Sequence, residues 1–385
     1  MKVVLTIAGL SPEFGGPSRS VPALAEALAR EKIGVDLIAC QSLPGHGAPI
    51  LPDATLVRTQ LLPSRSRRGR WRATSNDFFR AVCDASGGAD SVIHDNGLWL
   101  PTNHAIARAA RGLKRPLVIS VRGMLSAWER EHHAWKKRMA WILFQRRDLL
   151  AASVLHATSE QEMIYFRRAG LRGPIAMVPN GVDLPSLDKP GLRDRARIAL
   201  CVTRIHPKKN LMSLVEAWSE ARPNGWRMII AGNSEDGYRE ELEAAIAARG
   251  LSDEFEFVGP VEEEERQTLY DKAGLFVLPS HSENFGMSVA EALANGVPVI
   301  TTRGTPWQDL VSHRCGWWEE IGAAPLARAL HEAVALTGEE RRAMGRRGRE
   351  LVEQKYSWQR IAREMKSVYG WLLGQEERPE CVVLN

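Results

Sequence analysis

The chain has 385 residues, with 51 Lys plus Arg against 46 Asp plus Glu, a net charge of +5, and 44% hydrophobic side chains. At roughly 150 residues per domain this length makes two or three folding units, and the composition excludes fibrous, low-complexity and disulfide-knot proteins. The basic excess is too dilute to point to nucleic acid, and Cys40, Cys83, Cys201, Cys315 and Cys381 stand far apart without a CxxC pair, as expected of reduced thiols in a cytoplasm.

The run Val3-Val4-Leu5-Thr6-Ile7-Ala8-Gly9-Leu10 reads as a buried strand rather than a leader, because acidic Glu13 and a glycine pair follow where a cleavage site would stand. Strand-length apolar runs then alternate with helical patterns, the signature of parallel sheets built from right-handed crossovers. The first series is 3–8, 35–39, 91–94, 117–121, 154–157 and 175–178; the second is 198–202, 227–231, 255–258, 275–278 and 297–301. Between them lies the turn-forming stretch Pro179-Asn180-Gly181-Val182-Asp183. Behind Ser357, a good N-cap, Trp358, Ile361, Met365, Val368 and Leu372 share one helical face. No run of about 18 apolar residues occurs, so any membrane contact is expected to be peripheral.

Several loops at strand ends carry candidate chemistry. Gly15-Gly16-Pro17-Ser18-Arg19 follows the first strand and opens a helix with Pro22 expected in its first turn, where small residues admit a phosphate or sugar close to the backbone. His94, Asp95, Asn96 and Trp99, and Arg122 after the next strand, stand where a ligand crevice forms in such sheets. The basic stretch 65–72 and Trp135-Lys136-Lys137-Arg138-Met139-Ala140-Trp141 suit anionic lipid headgroups, with Trp141 and Phe144 expected in the core. Thr203-Arg204-Ile205-His206-Pro207-Lys208-Lys209 puts cations at a strand's carboxyl end, where they can clamp a diphosphate. Ser280-His281-Ser282-Glu283-Asn284-Phe285-Gly286-Met287-Ser288-Val289-Ala290-Glu291 follows another strand and opens a helix, whose N-terminal N–H groups form an anion site between two carboxylates. The plain readings are an ordinary glycine turn for the Gly15-Gly16 loop, packing or capping for His94, Asp95, Asn96, Trp99 and Arg122, and an exposed basic loop or favourable charge near a helix start for the others.

In this order and spacing, the Gly15-Gly16 loop, Val178 to Asp183, Arg204 with Lys209, Glu283 to Glu291, Gly296-Val297-Pro298-Val299-Ile300 and Tyr356-Ser357-Trp358 resemble the bacterial retaining glycosyltransferases of family 4. The resemblance covers nearly the whole chain and implies the α/β GT-B fold: two doubly wound Rossmann-like domains facing a central cleft, the last helix crossing back to the first. Residues 1–180, completed by 359–385, are then the acceptor-side domain, and 181–358 the nucleotide-sugar domain. Arg204 and Lys209 would hold the diphosphate, Glu283 the donor sugar, Glu291 the ribose, and Asn284, Phe285, Gly286, Met287 and Ser288 would meet the phosphate. Gly259 and Val261 would hold the base through main-chain groups, and Gly15 and Gly16 would close over the phosphate.

The resemblance implies a UDP- or GDP-linked donor, a saccharide or lipid-linked acceptor, and retention of anomeric configuration in the cytoplasm near the membrane's inner face. No Asp-x-Asp pair ends a strand, so activity is expected without a metal or other cofactor. Arg122 replaces a histidine that many relatives carry near the donor sugar, which leaves the sugar open. Thr302-Arg303-Gly304-Thr305-Pro306-Trp307 resembles members that assemble lipopolysaccharide, capsule and exopolysaccharide. A sugar-nucleotide epimerase on the same scaffold and a non-catalytic scaffold protein are the alternatives.

Overall fold

The computed structural model describes residues 1–42, 47–63, 65–67, 70–72, 74–126, 134–186, 195–234 and 237–384. The chain divides into two compact units, Met1–Gly181 with Trp358–Asn385, and Val182–Ser357.

In the first unit the described strands are β1 (Lys2–Gly9), β2 (Gly34–Cys40), β3 (Arg58–Leu62), β4 (Arg65–Arg67), β5 (Arg70–Arg72), β6 (Ser91–Asn96), β7 (Leu117–Ser120), β8 (Val154–Ala157), β9 (Ile175–Met177) and β16 (Val382–Val383). Eight of them form one sheet in the order β16-β9-β8-β7-β6-β1-β2-β3, parallel except for β16. Successive side chains of a strand point to opposite faces, and here both faces are covered. Val3, Leu5 and Ile7 of β1 feed one apolar layer, while Val4 feeds the other with Ile93, Ile119 and Leu155. The first layer is completed from the far end of the chain: Ile361, Met365, Val368 and Tyr369 of the helix Trp358–Leu372 are buried in it, and β16 pairs antiparallel with β9. Gly181 makes room for this return, since a Cβ there would lie 2.4 Å from the Trp358 ring.

The first helix, Gly16–Arg30, corrects one local expectation: Pro17 takes the first turn and Pro22 lies inside the helix, where its buried ring packs and removes one helical donor. The backbones of β4 and β5 pair antiparallel, while the basic side chains of 65–72 lie outside the described residues. Trp141 and Phe144 are half-buried, as expected for core-facing residues.

The second unit holds β10 (Ile198–Val202), β11 (Arg227–Ala231), β12 (Phe255–Gly259), β13 (Leu275–Leu278), β14 (Val299–Thr302) and β15 (Gly316–Glu319). Among the described residues these form a parallel sheet in the order β12-β11-β10-β13-β14-β15. Here too Ala199 and Cys201 feed one layer, Ile198 and Leu200 the other. The expected pair of Rossmann-like α/β units is therefore present. The strand order reverses between β1 and β6 in one unit and between β10 and β13 in the other, and loops diverging at such a reversal leave a crevice at the strands' carboxyl ends.

Candidate functional site

The loops after β10 and β13 leave the second sheet at its reversal point and are laced together. The His281 N–H donates to the Lys208 carbonyl (2.9 Å), and the Asn210 side-chain amide to the Pro279 carbonyl (3.1 Å). This brings Lys209 and Glu283, 74 residues apart in the chain, into an ion pair with Nζ 2.5 Å from Oε1. Ser280 Oγ donates to the same oxygen at 2.6 Å. Burial alone would raise the Glu283 pKa, but the Lys209 ammonium, its hydrogen bond, the Ser280 hydroxyl and Lys208 together hold it below the usual carboxylate value. Oε1 is thus committed, while Oε2 has no hydrogen bond among the described residues and can accept a ligand hydroxyl.

The neighbouring backbone sets this carboxylate's position. The Glu283 N–H donates to the Gly304 carbonyl at 2.7 Å, and Thr302 Oγ1 to the Ser280 carbonyl at 2.5 Å. Gly304 is obligatory there, because a Cβ would lie 2.4 Å from the Ser280 oxygen and 2.5 Å from that of His281. Gly286, at φ 83°, caps the helix Met287–Ala294 in a left-handed conformation that a side chain disfavours. Phe285 is fixed by its carbonyl, which accepts from Trp307 Nε1 at 2.6 Å, and by ring contacts with Trp307 and Tyr356 at 5.3 and 5.6 Å. Met287 and Ser288 follow, half-buried, in the first turn, whose N–H groups point off the helix end. Asn284 is also half-buried.

Glu291 lies further along that helix and is held separately. Its Oε1 faces Arg266 at 3.2 Å, and its Oε2 accepts from the Tyr270 hydroxyl at 2.9 Å. Burial would lower the Arg266 pKa, but Glu291 and Glu263 outweigh it and raise it, so Arg266 stays a cation. Arg204 is exposed just after β10. Gly259 ends β12 at φ 74°, its carbonyl accepting from the Gly232 N–H at 2.8 Å, with Val261 half-buried beyond it. Arg266 and Tyr270 are absent from the sequence reading, and Ser280 and Gly304 stand there only within longer segments, without a role of their own. Arg266 and Tyr270, four apart on one helix, are a legible pair; their meeting with Glu291 is not.

The first unit's candidates form a buried network. His94, Asp95 and Asn96 are 0%, 2% and 3% exposed, too deep to line an open crevice as they stand. Asp95 accepts from Thr6 Oγ1 (2.7 Å) and Asn103 Nδ2 (2.9 Å), and burial pushes its pKa up to about 6. His156 Nε2 lies 2.7 Å from the Val178 carbonyl, which can only accept, so that nitrogen carries the proton. The polarity then follows along the chain: Ser120 Oγ donates to His156 Nδ1 (2.5 Å), His94 Nε2 to Ser120 (2.6 Å), and the Tyr369 hydroxyl to His94 Nδ1 (2.7 Å). Burial drives His156 down to about 3 and His94 well below its usual value, so both are neutral. Arg122, at φ 55° and 8% exposed, donates from Nε and Nη2 to Asn96 Oδ1 (3.1 and 2.8 Å) and from Nη1 to Asn180 Oδ1 (2.6 Å). Burial lowers its pKa to about 10, which leaves it a cation at neutral pH. Trp99, at φ 74°, packs on Trp141 with ring centroids 6.2 Å apart. Gly15, at φ 73°, caps the helix Gly16–Arg30 with open space where a Cβ would stand, and Gly16 is exposed.

Family models match both units: that of Glycosyl transferases group 1 over residues 186–351, and that of Glycosyl transferase 4-like domain over residues 15–181. The chain is 28% identical over 310 residues to the GDP-mannose:cellobiosyl-diphosphopolyprenol alpha-mannosyltransferase of Xanthomonas campestris, covering 78% of each. It is 28% identical over 270 residues to the lipopolysaccharide core biosynthesis mannosyltransferase LpsB of Rhizobium meliloti, covering 64% of this chain and 71% of that one. In fold it is similar to sucrose-phosphate synthase from Thermosynechococcus elongatus, with TM-score 0.77 and 24% identity over 97% of this chain and 99% of that one. It is also similar to Anabaena HepE in complex with UDP and glucose, with TM-score 0.73 and 18% identity over 96% of this chain and 100% of the other.

Proposed function

Since the chain belongs to the glycosyltransferases, with the group 1 family in its second unit and the 4-like domain in its first, we propose that it is a retaining, metal-independent mannosyltransferase. On this reading it uses GDP-mannose and a lipid-linked or core saccharide acceptor in bacterial surface polysaccharide assembly, with peripheral contact at the membrane's inner face. The activity of the Xanthomonas relative supports the donor and the lipid-linked acceptor, and that of the Rhizobium relative supports mannosyl transfer in surface polysaccharide assembly. The observation that carries the reading is the Lys209–Glu283–Ser280 cluster at the sheet's reversal point, beside the start of the helix Met287–Ala294.

In the proposed step the bond from the anomeric carbon to the donor phosphate oxygen breaks, and the acceptor hydroxyl oxygen bonds to the same face of that carbon. Its proton passes to the departing phosphate, so no protein nucleophile is needed. The demanding part is negative charge on the leaving diphosphate, and fixed cations and helix-end amides stabilise charge where it develops. Lys209, Arg204 and the N–H groups at Gly286, Met287 and Ser288 have that role. Glu283 binds donor sugar hydroxyls through Oε2, Glu291 the ribose, and the main chain near Gly259 and Val261 the base. Gly15 and Gly16 form a second small-residue approach to phosphate. Arg122, joined to Asn96 and Asn180, acts as a positioning residue for the first unit's strand ends.

The test is to incubate the protein with GDP-mannose and a polyprenyl-diphosphate oligosaccharide, with EDTA present, and to read the product's mass and anomeric configuration by NMR. An α-mannosylated product formed at undiminished rate in EDTA supports the proposal. Turnover of UDP-sugars alone moves the donor, a β-linked product removes retention, and dependence on added divalent ion removes the metal-free step. Conversion of donor without acceptor makes the protein an epimerase.

A further inference from the structure

Between Ala134 and Ala151 the chain carries five cations, Lys136, Lys137, Arg138, Arg146 and Arg147, and a single acid, Asp148. The helix Ala134–Ala140 continues through one wide turn at Trp141–Gln145 into Arg146–Leu150. Its inner side is committed: Trp141 packs on Trp99, Phe144 lies 5.3 Å from the His104 ring, and Gln145, Asp148 and Leu149 are buried. Asp148 faces inward and is shared by His104 Nδ1 at 2.6 Å and Arg111 Nη1 at 2.9 Å.

The outer side is apolar and open. Trp135, Met139, Ile142 and Leu143 are 69%, 50%, 70% and 65% exposed, at positions i, i+4, i+7 and i+8 of one helical face. Lys136, Arg138, Arg146 and Arg147 stand among them, so the exposed charge on this helix is of one sign. Where the helix ends, a wide-open depression of about 570 Å3 is lined by His104, Arg108, Arg111, Arg147 and Ala151. Arg108 and Arg147 line that space together with His104 and with Arg111, whose charge Asp148 already offsets.

A row of large apolar side chains set among cations fits one occupant better than any other. An acidic protein would satisfy the arginines and leave Trp135, Ile142 and Leu143 wet, whereas a bilayer offers hydrocarbon and anionic phosphate at adjacent depths. We propose that this face docks on a membrane carrying anionic phospholipid. The apolar row enters the boundary between headgroups and acyl chains, and the open depression beside Arg108 and Arg147 takes a headgroup phosphate. The inference deepens the membrane contact suggested above and rests on that part of the reading, not on the identity of the sugar.

The test is flotation of the full-length protein with vesicles of phosphatidylcholine alone or mixed with phosphatidylglycerol, across a salt series. Two double variants are compared, Ile142→Glu with Leu143→Glu, and Arg108→Ala with Arg147→Ala. All four positions are exposed, and the melting temperature checks that the fold survives. The parent protein is expected to float only with phosphatidylglycerol. The glutamate pair should abolish flotation, and the alanine pair should weaken it on the order of tenfold and flatten its salt dependence.

Equal flotation of parent and both variants overturns the proposal, as does no flotation of a protein that GDP-mannose still stabilises. Stabilisation by inorganic phosphate that the alanine pair removes, without vesicle binding, would make the depression a site for soluble phosphate and also overturn it. Loss of stabilisation by every nucleotide sugar, with flotation intact, would instead strike the transferase reading and leave this surface standing.

Discussion

Glu283 is held by Lys209 and Ser280, and these partners define what each substitution should do. Lys209 and Glu283 are 13% and 14% exposed, so neither charge is well solvated without the other. Breaking such a pair from one side costs about 3–5 kcal/mol, and replacing both by apolar groups costs far less. Lys209→Ala should therefore lower the urea midpoint more than Lys209→Met combined with Glu283→Leu. Glu283→Gln keeps the shape and removes the charge; transfer should fall by about 100- to 1000-fold while circular dichroism is unchanged. The folded-state pKa of Glu283 lies below 4.5, so its stabilisation is full above 4.5 and lost as pH falls through the folded value. Unfolding of Glu283→Gln should accordingly vary less with pH below 4.5 than that of the parent.

Loops and strand ends act as elements because glycines and hydrogen-bond chains fix them. Gly304→Ala would drive a Cβ into the Ser280 and His281 carbonyls and displace the segment carrying Glu283. The expected result is loss of most transfer activity with the first unit's thermal transition unchanged, read by calorimetry beside a transfer assay. In the first unit the chain Tyr369, His94, Ser120, His156, Val178 joins the ends of β6, β7 and β8 to the helix Trp358–Leu372. Tyr369→Phe leaves His94 Nδ1 buried without a donor, a cost of about 1–3 kcal/mol in urea unfolding. Both imidazoles are neutral in the fold, so their stabilisation is full above 6.5 and lost as pH falls from there toward about 3 for His156. Among the described residues β3, the β4–β5 pair, β15 and β16 escaped the sequence pattern. β3 lies at a sheet edge with two exposed residues among five, and β15 at the other sheet's edge, where the continuous apolar run that marks a central parallel strand is not required.

The whole chain has an asymmetric construction: the second unit is one continuous segment, while the first is closed by residues from both ends. Residues 182–357 expressed alone should therefore fold and keep a thermal shift with the donor nucleotide. A chain ending at 357 loses Ile361, Met365, Val368 and Tyr369 from the first unit's core and the β16 partner of β9. Its first unit should be unfolded or molten at 25 °C, seen as lost near-ultraviolet dichroism, with the second unit's transition intact.

Local chemistry was readable without coordinates wherever one short segment carries its own signal. Alternating apolar runs specify buried parallel strands, Ser357 with the Trp358 face specifies the last helix, and the segment around Glu283 and Gly286 specifies a strand-to-helix loop, because periodicity and N-cap chemistry act over a few residues. Tertiary structure alone decided which of these segments meet. The order β12-β11-β10-β13-β14-β15 is what sets the loop of Lys209 against that of Glu283, 74 residues away. Likewise only packing gave Glu291 to Arg266 and Tyr270, and turned His94 and Asp95 from crevice candidates into buried members of hydrogen-bond networks. A side chain's type is local, but its partners and dielectric surroundings are set by residues distant in the chain, and those determine its charge and its freedom to meet a ligand.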